Sequence, residues 1–478
     1  MNAKRTFTQI VSTLCAATLL TAAAATRTQA SHTPEGTWQG TLQGALRLVL
    51  HVERGASGGL TAKLDSPDQG AMGLAIDTLW VAGDSLHFEM RRLRASYAAS
   101  MSADDSTLAG LWSQGGLALS LTLKRNDRAI VTRRPQDPVP PYPYDTLEVA
   151  YPNARAGVKL AGTLTIPRAA GPHPCALLIT GSGPENRDEE IFNHRPFRVL
   201  ADHLTRKGIA VLRVDDRGVG GSTGSTAGAT SEDFAGDVLA GIEFLKGRKE
   251  IDAKKIGLIG HSEGGLIAPL VATRSNDVAF IVLMAGPGVR GDSLLILQAA
   301  AVRRLQGIGE DAIAREATAM RHAHAMVRKG DSLGIARASR ELVEVQVSMT
   351  PEAQRANLGS IDNLAAQADR QFSLPWMRFF VSYDPAPTLM KVRCPVLALN
   401  GSKDFQVPPK ENLAALSAAL AAGGNRDATV KELPGLNHLF QTANTGALSE
   451  YAVIDETIAP AALDEMSGWI AARTLGKH

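Results

Sequence analysis

The sequence predicts a small antiparallel all-β domain followed by a larger α/β domain with a mostly parallel, doubly wound sheet. Three observations carry this prediction. Apolar and polar residues alternate from about Thr37 to Lys124, five prolines fall between Arg133 and Tyr144, and strand-like and helix-like segments alternate after that point. At 478 residues the chain is long enough for two or three domains with a large buried core.

Residues 1–30 have the pattern of a secretory signal peptide. Lys4 and Arg5 precede an apolar stretch from Ile10 to Ala25, and Thr28-Gln29-Ala30 after it fits a small-residue cleavage site. A membrane anchor is the alternative, but the stretch is short and Ser and Thr dilute it. We therefore expect an exported protein, periplasmic or extracellular, without stable membrane insertion.

The charge balance gives no indication of nucleic acid or anionic membrane as a partner. Removing residues 1–30 lowers the 50 Lys and Arg by three to 47, against 48 Asp and Glu, so the remaining chain is nearly neutral. Two cysteines then remain, Cys175 and Cys394, near the starts of two predicted strands. We interpret both as buried thiols, and a disulfide between them stays open as an alternative.

Residues 31–132 predict an all-β accessory domain. Leucines 46, 48 and 50 alternate with mostly polar residues, as do similar runs later, which fits about eight short strands in a small barrel or sandwich. The segment holds no recognisable catalytic cluster. We expect it to pack against or shield the main domain, with a ligand-holding barrel as the alternative. Residues 133–144 predict a stiff proline-rich linker.

Residues 145–478 predict the α/β domain, because continuous apolar strands alternate with helices. The predicted strands are Thr146–Tyr151, Lys159–Ile166, Cys175–Thr180, Ala210–Asp215, Lys255–Gly260, Phe280–Ala285, Val396–Asn400 and Thr429–Glu432. The predicted helices lie near Phe197–Lys207, Phe234–Gly247, Leu266–Thr273, Lys410–Ala421 and Pro460–Thr474. Residues 289–391, between the sixth and seventh strands, have helical spacing and predict a helical cap.

A nucleophile elbow is predicted at Gly260-His261-Ser262-Glu263-Gly264, between the fifth strand and the helix after it. The turn holds the serine in a strained backbone conformation. Glycine is needed at both ends because side chains there would collide with the neighbouring strand and helix. Its partners follow in the order Ser, Asp, His. Asp404 comes just after the seventh strand and His438 in the loop after the eighth, so all three side chains should meet at one edge of the sheet.

These three residue types form a catalytic triad. His438 would take the proton of the Ser262 hydroxyl, and Asp404 would orient the imidazole. Two backbone donors are also required for the oxyanion. We predict the N–H of Glu263 as one and that of Ser182 as the other, with Gly183 as the alternative.

Other motifs carry no predicted chemistry. The glycine-rich segment Val214–Ser222 lacks the residues of a phosphate loop, so we interpret it as structural, with an Arg–Asp network. His322 and His324 lie two residues apart on a helix and therefore point to different faces. We predict no metal site and no cofactor.

Taken together, these motifs resemble the α/β-hydrolase superfamily and, more narrowly, secreted bacterial serine esterases of the serine aminopeptidase-like group. The resemblance covers about residues 145–478. It rests on Gly181–Asp188, Asp216-Arg217-Gly218, the elbow, Asn400–Asp404 and Asn437-His438. It implies hydrolysis of carboxylic esters, with short-chain acyl groups, on small-molecule substrates and without a cofactor.

Two alternatives stay open. A serine peptidase acting at peptide N-termini would use the same triad and would need an acid for the substrate's amino group, and the cap offers Glu310, Glu316, Glu341 and Glu344. The N-terminal domain is too short for the β-propeller of prolyl oligopeptidase relatives. The second alternative is a binding protein that kept the fold and lost catalysis. The sequence does not indicate the oligomeric state.

Overall fold

The computed structural model describes residues 33–42, 46–55, 58–69, 71–114, 117–126, 134–350, 352–355 and 358–475. The predicted signal peptide of residues 1–30 lies outside these ranges. No helix in the described ranges is long and apolar enough to cross a membrane.

Within the described residues, the N-terminal part is one antiparallel sheet of nine strands, close to the roughly eight that the alternation predicted. Its order is β4-β3-β2-β1-β9-β8-β7-β6-β5. The strands curl as a half-barrel around one core that contains Trp38, Phe88 and Tyr97. The bounds are β1 Gly36–Leu42, β2 Leu46–Arg54, β3 Leu60–Ser66, β4 Ala71–Ala75, β5 Thr78–Ala82, β6 Ser85–Met90, β7 Ala95–Met101, β8 Thr107–Gln114 and β9 Leu117–Arg125.

The second sheet has eight strands in the order β10-β11-β13-β12-β14-β15-β16-β17. Its bounds are β10 Tyr144–Asn153, β11 Val158–Pro167, β12 His173–Ile179, β13 Ala210–Val214, β14 Ile251–His261, β15 Val278–Met284, β16 Val396–Gly401 and β17 Ala428–Leu433. β11 pairs antiparallel with β10 and β13, and the remaining neighbours are parallel. The sheet contains all eight predicted strands, so the predicted fold class is confirmed.

Helices cover both faces of this sheet. Their bounds are α1 Pro196–Arg206, α2 Ser231–Lys246, α3 Glu263–Ala272, α4 Gly291–Leu305, α5 Glu310–Lys329, α6 Ser332–Met349, α7 Glu352–Arg355, α8 Ile361–Ser373, α9 Pro375–Ser382, α10 Ala386–Leu389, α11 Pro409–Ala422, α12 Leu448–Tyr451 and α13 Pro460–Thr474. One core packs the sheet against α2, α3 and α11, and a second packs it against α1 and α13. Helices α4 to α10 lie between β15 and β16, in the insertion for which the sequence predicts a helical cap.

The start of α3 corrects the prediction of Leu266. The helix begins at Glu263, directly after Ser262, because the elbow leaves no loop between strand and helix.

The small sheet contacts two loops of the α/β part. A guanidinium nitrogen of Arg47 donates to the carbonyl of Ala452 at 3.3 Å, and the side-chain amide of Asn193 donates to the carbonyl of Pro67. Arg134, before β10, donates to the carbonyls of Phe192, at 2.7 Å, and Ala452, at 3.1 Å. The accessory domain and the linker after it are thus both bonded to the loops around residues 190 and 452.

Both cysteines are free thiols in the structure. Cys175 is buried and Cys394 is half-buried. Burial raises the pKa of the Cys394 thiol to about 11 and raises that of Cys175 further. Both therefore remain protonated at neutral pH and pack as small apolar groups.

The close fit between β14 and β15 gives a prediction for stability. A Cβ on Gly257 would overlap the ring of Phe280, which is fully buried and lies edge-on against Trp469. We expect Gly257→Ala to destabilise the protein by about 3 kcal/mol, because the buried ring must shift within a packed core to make room for the methyl group. Thermal unfolding followed by circular dichroism measures the effect.

Gly468→Ala is the matched control. Gly468 lies in α13, is exposed, and a Cβ there meets nothing within 4 Å. This change should stabilise the protein by about 0.5–1 kcal/mol through helix propensity. Equal unfolding midpoints for the two variants would contradict the packing argument.

Candidate active site

The elbow between β14 and α3 holds Ser262 in a strained backbone conformation, with φ 52° and ψ −116°. Two glycines make this possible. A Cβ on Gly260 would overlap the backbone of Gly264, and a Cβ on Gly264 would overlap the carbonyl of Ile179 in β12. The Ser262 N–H donates to the carbonyl of Met284 at 2.8 Å, which fixes the turn to β15. The strained turn places Ser262 at the carboxyl edge of the sheet, as the sequence predicted.

Asp404 and His438 meet at the same edge. The Asp404 Oδ2 lies 2.8 Å from the His438 Nδ1, and both side chains are buried. The other carboxylate oxygen of Asp404 accepts the N–H groups of Gln406, at 2.8 Å, and Val407, at 2.9 Å. The carboxylate therefore accepts hydrogen bonds from three donors, and it orients the imidazole through its contact with Nδ1.

The elbow and the His438 loop are joined through His261. The Nε2 of His261 lies 2.9 Å from the carbonyl oxygen of His438, and the two imidazole centroids are 4.7 Å apart. The described contacts include no hydrogen bond between Ser262 Oγ and His438. Bonds of this kind are often long in unliganded enzymes and tighten when substrate binds. The loop carrying His438 is thus fixed beside the residue that precedes Ser262.

The turn after β12 lies against the serine. A Cβ on Gly181 would be 3.5 Å from the Cβ of Ser262. The Gly181 N–H donates to Glu189 Oε1 at 3.0 Å and is occupied. In the described part of the chain, no acceptor pairs with the N–H of Ser182, Gly183 or Glu263, so these predicted oxyanion donors carry no competing bond.

A buried ion pair behind the elbow is absent from the sequence prediction. Glu189 Oε1 lies 2.8 Å from His261 Nδ1. Burial disfavours a charged imidazole, but the nearby Glu189 carboxylate outweighs burial and raises the pKa of His261. The pair thus fixes the residue before the nucleophile. The sequence feature that could have indicated this pair is the run of acidic residues that follows the turn after β12.

Two more acids lie next to this pair. Burial raises the pKa of Glu185 well above its usual value, and the neighbouring carboxylates of Glu189 and Asp216 add to the shift. Burial likewise raises the pKa of Asp216 to about 7. Asp216 Oδ1 accepts the hydroxyl of Thr180 at 2.9 Å, and its Oδ2 accepts the N–H of Glu185 at 3.0 Å. The turn of residues 181–183, which carries the predicted donors Ser182 and Gly183, is called the oxyanion turn. Asp216 therefore connects the end of β12 to the segment that follows this turn.

The glycine-rich segment after β13 is structural, with the predicted Arg–Asp network. Asp215 accepts from Arg187 at 2.8 Å, and Arg217 donates to Asp237 at 2.7 Å.

The two cap histidines lie apart from this site. His322 lies 2.7 Å from a carboxylate oxygen of Glu341, whereas His324 is buried against Phe372. Among the residues with described positions, no group of three or more His, Cys, Asp or Glu is arranged to hold a metal ion.

Comparison with known families agrees with this architecture. Residues 195–349, which include the elbow, match the family model described as serine aminopeptidase, S33. The chain has the α/β-hydrolase fold. Its strand order, its elbow and its helical insertion after β15 are those expected for that fold.

Similar proteins carry the word esterase in their names. The chain is 25% identical over 312 residues to esterase EstD of Thermotoga maritima, an alignment that spans 65% of each protein. Among solved structures, the esterase Pf2001 of Pyrococcus furiosus is 16% identical, covers 73% of this chain and 100% of its own, and has a TM-score of 0.43. Est1E of Butyrivibrio proteoclasticus, with ferulic acid bound, is 18% identical, covers 64% and 98%, and has a TM-score of 0.36.

The raised pKa of Asp216 predicts how stability depends on pH. An aspartate in an unfolded chain has a pKa of about 3.9, whereas folded Asp216 keeps its proton up to about pH 7. Between these values the folded state binds more protons, so its stability falls as the pH rises. Asp216→Asn should reduce the loss of stability between pH 5 and pH 7 by about 2 kcal/mol, measured by denaturant unfolding at each pH.

Asp311→Asn, at an exposed position in the first turn of α5, is the control and should keep the wild-type slope. The comparison uses slopes because the amide can lower stability at every pH by mispairing with Thr180 or Glu185. A wild-type slope in Asp216→Asn would show that Asp216 ionises normally.

Proposed function

We propose that this protein is a serine hydrolase that cleaves carboxylic esters of small molecules, with short-chain acyl groups, through an acyl-enzyme. The observation that carries the proposal is the buried Asp404–His438 pair beside the strained Ser262. Ser262, His438 and Asp404 supply the nucleophile, the base and the acid that orients the base. They follow three different strands of one sheet. The similarity to esterase EstD supports the ester as substrate class.

The first step is attack of Ser262 Oγ on the ester carbonyl. His438 Nε2 takes the hydroxyl proton as the new C–O bond forms, and Asp404 stabilises the resulting imidazolium. The backbone N–H groups of Glu263 and Ser182 donate hydrogen bonds to the carbonyl oxygen as it becomes negatively charged, with Gly183 as the alternative donor to Ser182.

Collapse of this intermediate breaks the bond to the alcohol, which leaves with the proton from His438. Water then attacks the acyl-enzyme by the same route, with His438 again as base, and releases the acid. Besides the ester and the attacking water, both half-reactions use only side chains and backbone of this chain.

A serine peptidase acting at peptide N-termini is the second candidate, since the matched family model is described as serine aminopeptidase. It needs an acid that is available to the substrate's amino group. The four cap glutamates are instead paired with basic side chains of the cap: Glu310 with Arg304, Glu316 with Arg303, Glu341 with His322 and Glu344 with Arg340. These pairs favour the ester over the peptide.

We also propose that the protein is exported, because residues 1–30 have the features of a signal peptide. The site requires no cofactor for the proposed reaction. Removal of residues 1–30 in the secreted product, read from the N-terminal sequence of the mature protein, would test the proposal.

The role of Asp404 predicts a large kinetic effect. Asp404→Asn keeps the size of the side chain but presents the wrong partner to His438 Nδ1, so kcat for p-nitrophenyl butyrate should fall on the order of 10⁴-fold. Asp427→Asn is a matched control, because Asp427 pairs with Arg473 on the surface. Its kcat should equal that of the wild type. A kcat for Asp404→Asn within tenfold of wild type would remove Asp404 from the mechanism.

Substrate class is tested by comparing p-nitrophenyl acetate and butyrate with aminoacyl p-nitroanilides. We expect ester turnover to exceed anilide turnover, because Glu310, Glu316, Glu341 and Glu344 are already paired with basic side chains of the cap. Anilide turnover above ester turnover would establish the peptidase instead. Labelling by a fluorophosphonate should disappear in Ser262→Ala, and an unlabelled wild type would favour a binding protein without catalysis.

A further inference from the structure

A polar cavity lies between helix α1, the linker before β10 and the antiparallel strands of the large sheet. Its volume is about 290 Å³, which suits a small organic molecule. Among the described residues, its lining does not include Ser262, Asp404 or His438. Thr146 and Glu148 of β10 line it and are exposed, so the cavity opens to solvent. The proposed function therefore leaves an accessible cavity without a role.

One wall of the cavity is polar where a sheet covered by a helix is usually apolar. On β11, Leu164 and Ile166 pack into the core with α2 and α3, so Thr163 and Thr165 point to the opposite face. Both threonines are buried and line the cavity. Thr163 is the register partner of Arg213 in β13, which places the arginine side chain on the same face. The sheet thus presents hydroxyl groups and a guanidinium to the cavity.

The guanidinium of Arg213 is buried and only partly satisfied. The residue is 6% exposed, and its Nη1 donates to a carboxylate oxygen of Asp188. In the described part of the chain, its buried Nε has no hydrogen-bond partner. Burial lowers the pKa of Arg213 to about 10, and the neighbouring charge of Arg187 adds to the effect. A charged donor that lacks an acceptor therefore forms part of the cavity wall.

A second guanidinium, that of Arg198 in α1, lines the same cavity and is half-buried. Its described acceptors are neutral. It donates to the carbonyl of Pro138 at 3.3 Å and to the hydroxyl of Tyr142 at 3.0 Å. Within the described residues, no carboxylate pairs with it. An anion in the cavity would thus supply the acceptor that both arginines lack.

The acids of the cavity have basic partners already. Asp202 accepts from Arg206 at 2.8 Å, and Glu148 accepts from Arg187 at 2.5 Å. The third described carboxylate in the lining is the acceptor of the Arg213 Nη1. Glu148 is also exposed, so solvent and salt screen its charge. These pairs reduce the repulsion that an incoming anion would meet.

We propose that this cavity binds the oxyanion group, carboxylate or phosphate, of a small organic molecule, which accepts hydrogen bonds from Arg198 and Arg213. The planar guanidinium matches both groups, because it offers parallel N–H donors. Pro138, Tyr142 and Tyr144 give the cavity an apolar wall for the remainder of the molecule, and the two tyrosine rings stack at 5.3 Å between centroids. The inference goes beyond the proposed function and does not depend on it.

Isothermal titration calorimetry with benzoate, phenyl phosphate and benzamide tests the proposal. Both anions should bind, whereas benzamide, which has the shape of benzoate without its charge, should not. Tighter binding of benzoate would assign the site to carboxylates, and tighter binding of phenyl phosphate would assign it to phosphate esters. Arg198→Ala should raise the Kd of the anions on the order of 10-fold, because hydrogen bonds to a charged group are lost.

Two further variants locate the bound anion. Arg213→Lys keeps the positive charge but lacks Nε and the planar fork, so it should also raise the Kd. Thermal unfolding shows whether this buried variant folds, and Arg198→Ala carries the test if it does not. Arg337→Ala is the matched control, since it removes one positive charge at an exposed position of α6. Its Kd should equal that of the wild type.

Several results would overturn the inference. If neither anion binds, the Arg213 Nε is left to solvent. Benzamide binding as tight as that of benzoate would show that the charge is not recognised. A Kd that is unchanged in Arg198→Ala, or raised equally in Arg337→Ala, would place the anion elsewhere on the protein. All of these measurements are made without an ester, so failure of the inference is distinguishable from failure of the proposed function.

Discussion

The strained turn at Ser262 is the constraint on which the rest of the α/β domain depends. Strand β14, helix α3 and the end of β12 approach so closely there that Gly260 and Gly264 have no space for a Cβ. A positive φ at a serine costs about 1–3 kcal/mol. The cores on both faces of the sheet offset that cost and prevent the turn from relaxing. The same closeness brings β12, and with it the oxyanion turn, against the serine.

Among the described residues, four buried or half-buried acids surround the elbow, and the protein limits the net negative charge that they bring to the site. Glu189 is paired with His261, and Glu263 is surrounded by neutral donors. Glu185 and Asp216 have raised pKa values because burial disfavours their charged forms. Each acid is thus paired, hydrogen-bonded or shifted toward its neutral form, which limits the negative potential where the oxyanion develops.

Local patterns explain what the sequence could predict. Apolar runs and turn residues gave all eight strands of the large sheet, and order along the chain placed Ser262, Asp404 and His438 at one edge, where the structure has them. The arrangement of the strands in the small sheet could not be predicted, because short alternating runs do not show whether the strands form a barrel, a sandwich or a half-barrel. Contacts such as Trp376 with Glu263 join residues 113 positions apart. No periodicity encodes them, and a single tryptophan in a helical insertion has no distinguishing signal.

The accessory domain contacts two loops whose other ends lie near the site. His194 lies 2.9 Å from the hydroxyl of Thr457 and 2.9 Å from the carbonyl of Tyr451, which joins the loop after Glu189 to the chain that follows His438. Asn193, next to His194, donates to Pro67 of the small sheet. The sheet therefore braces the two segments that carry Glu189 and His438. Because these segments bracket His261 from opposite sides, fixing their outer ends limits the motion of the imidazole that must meet Ser262.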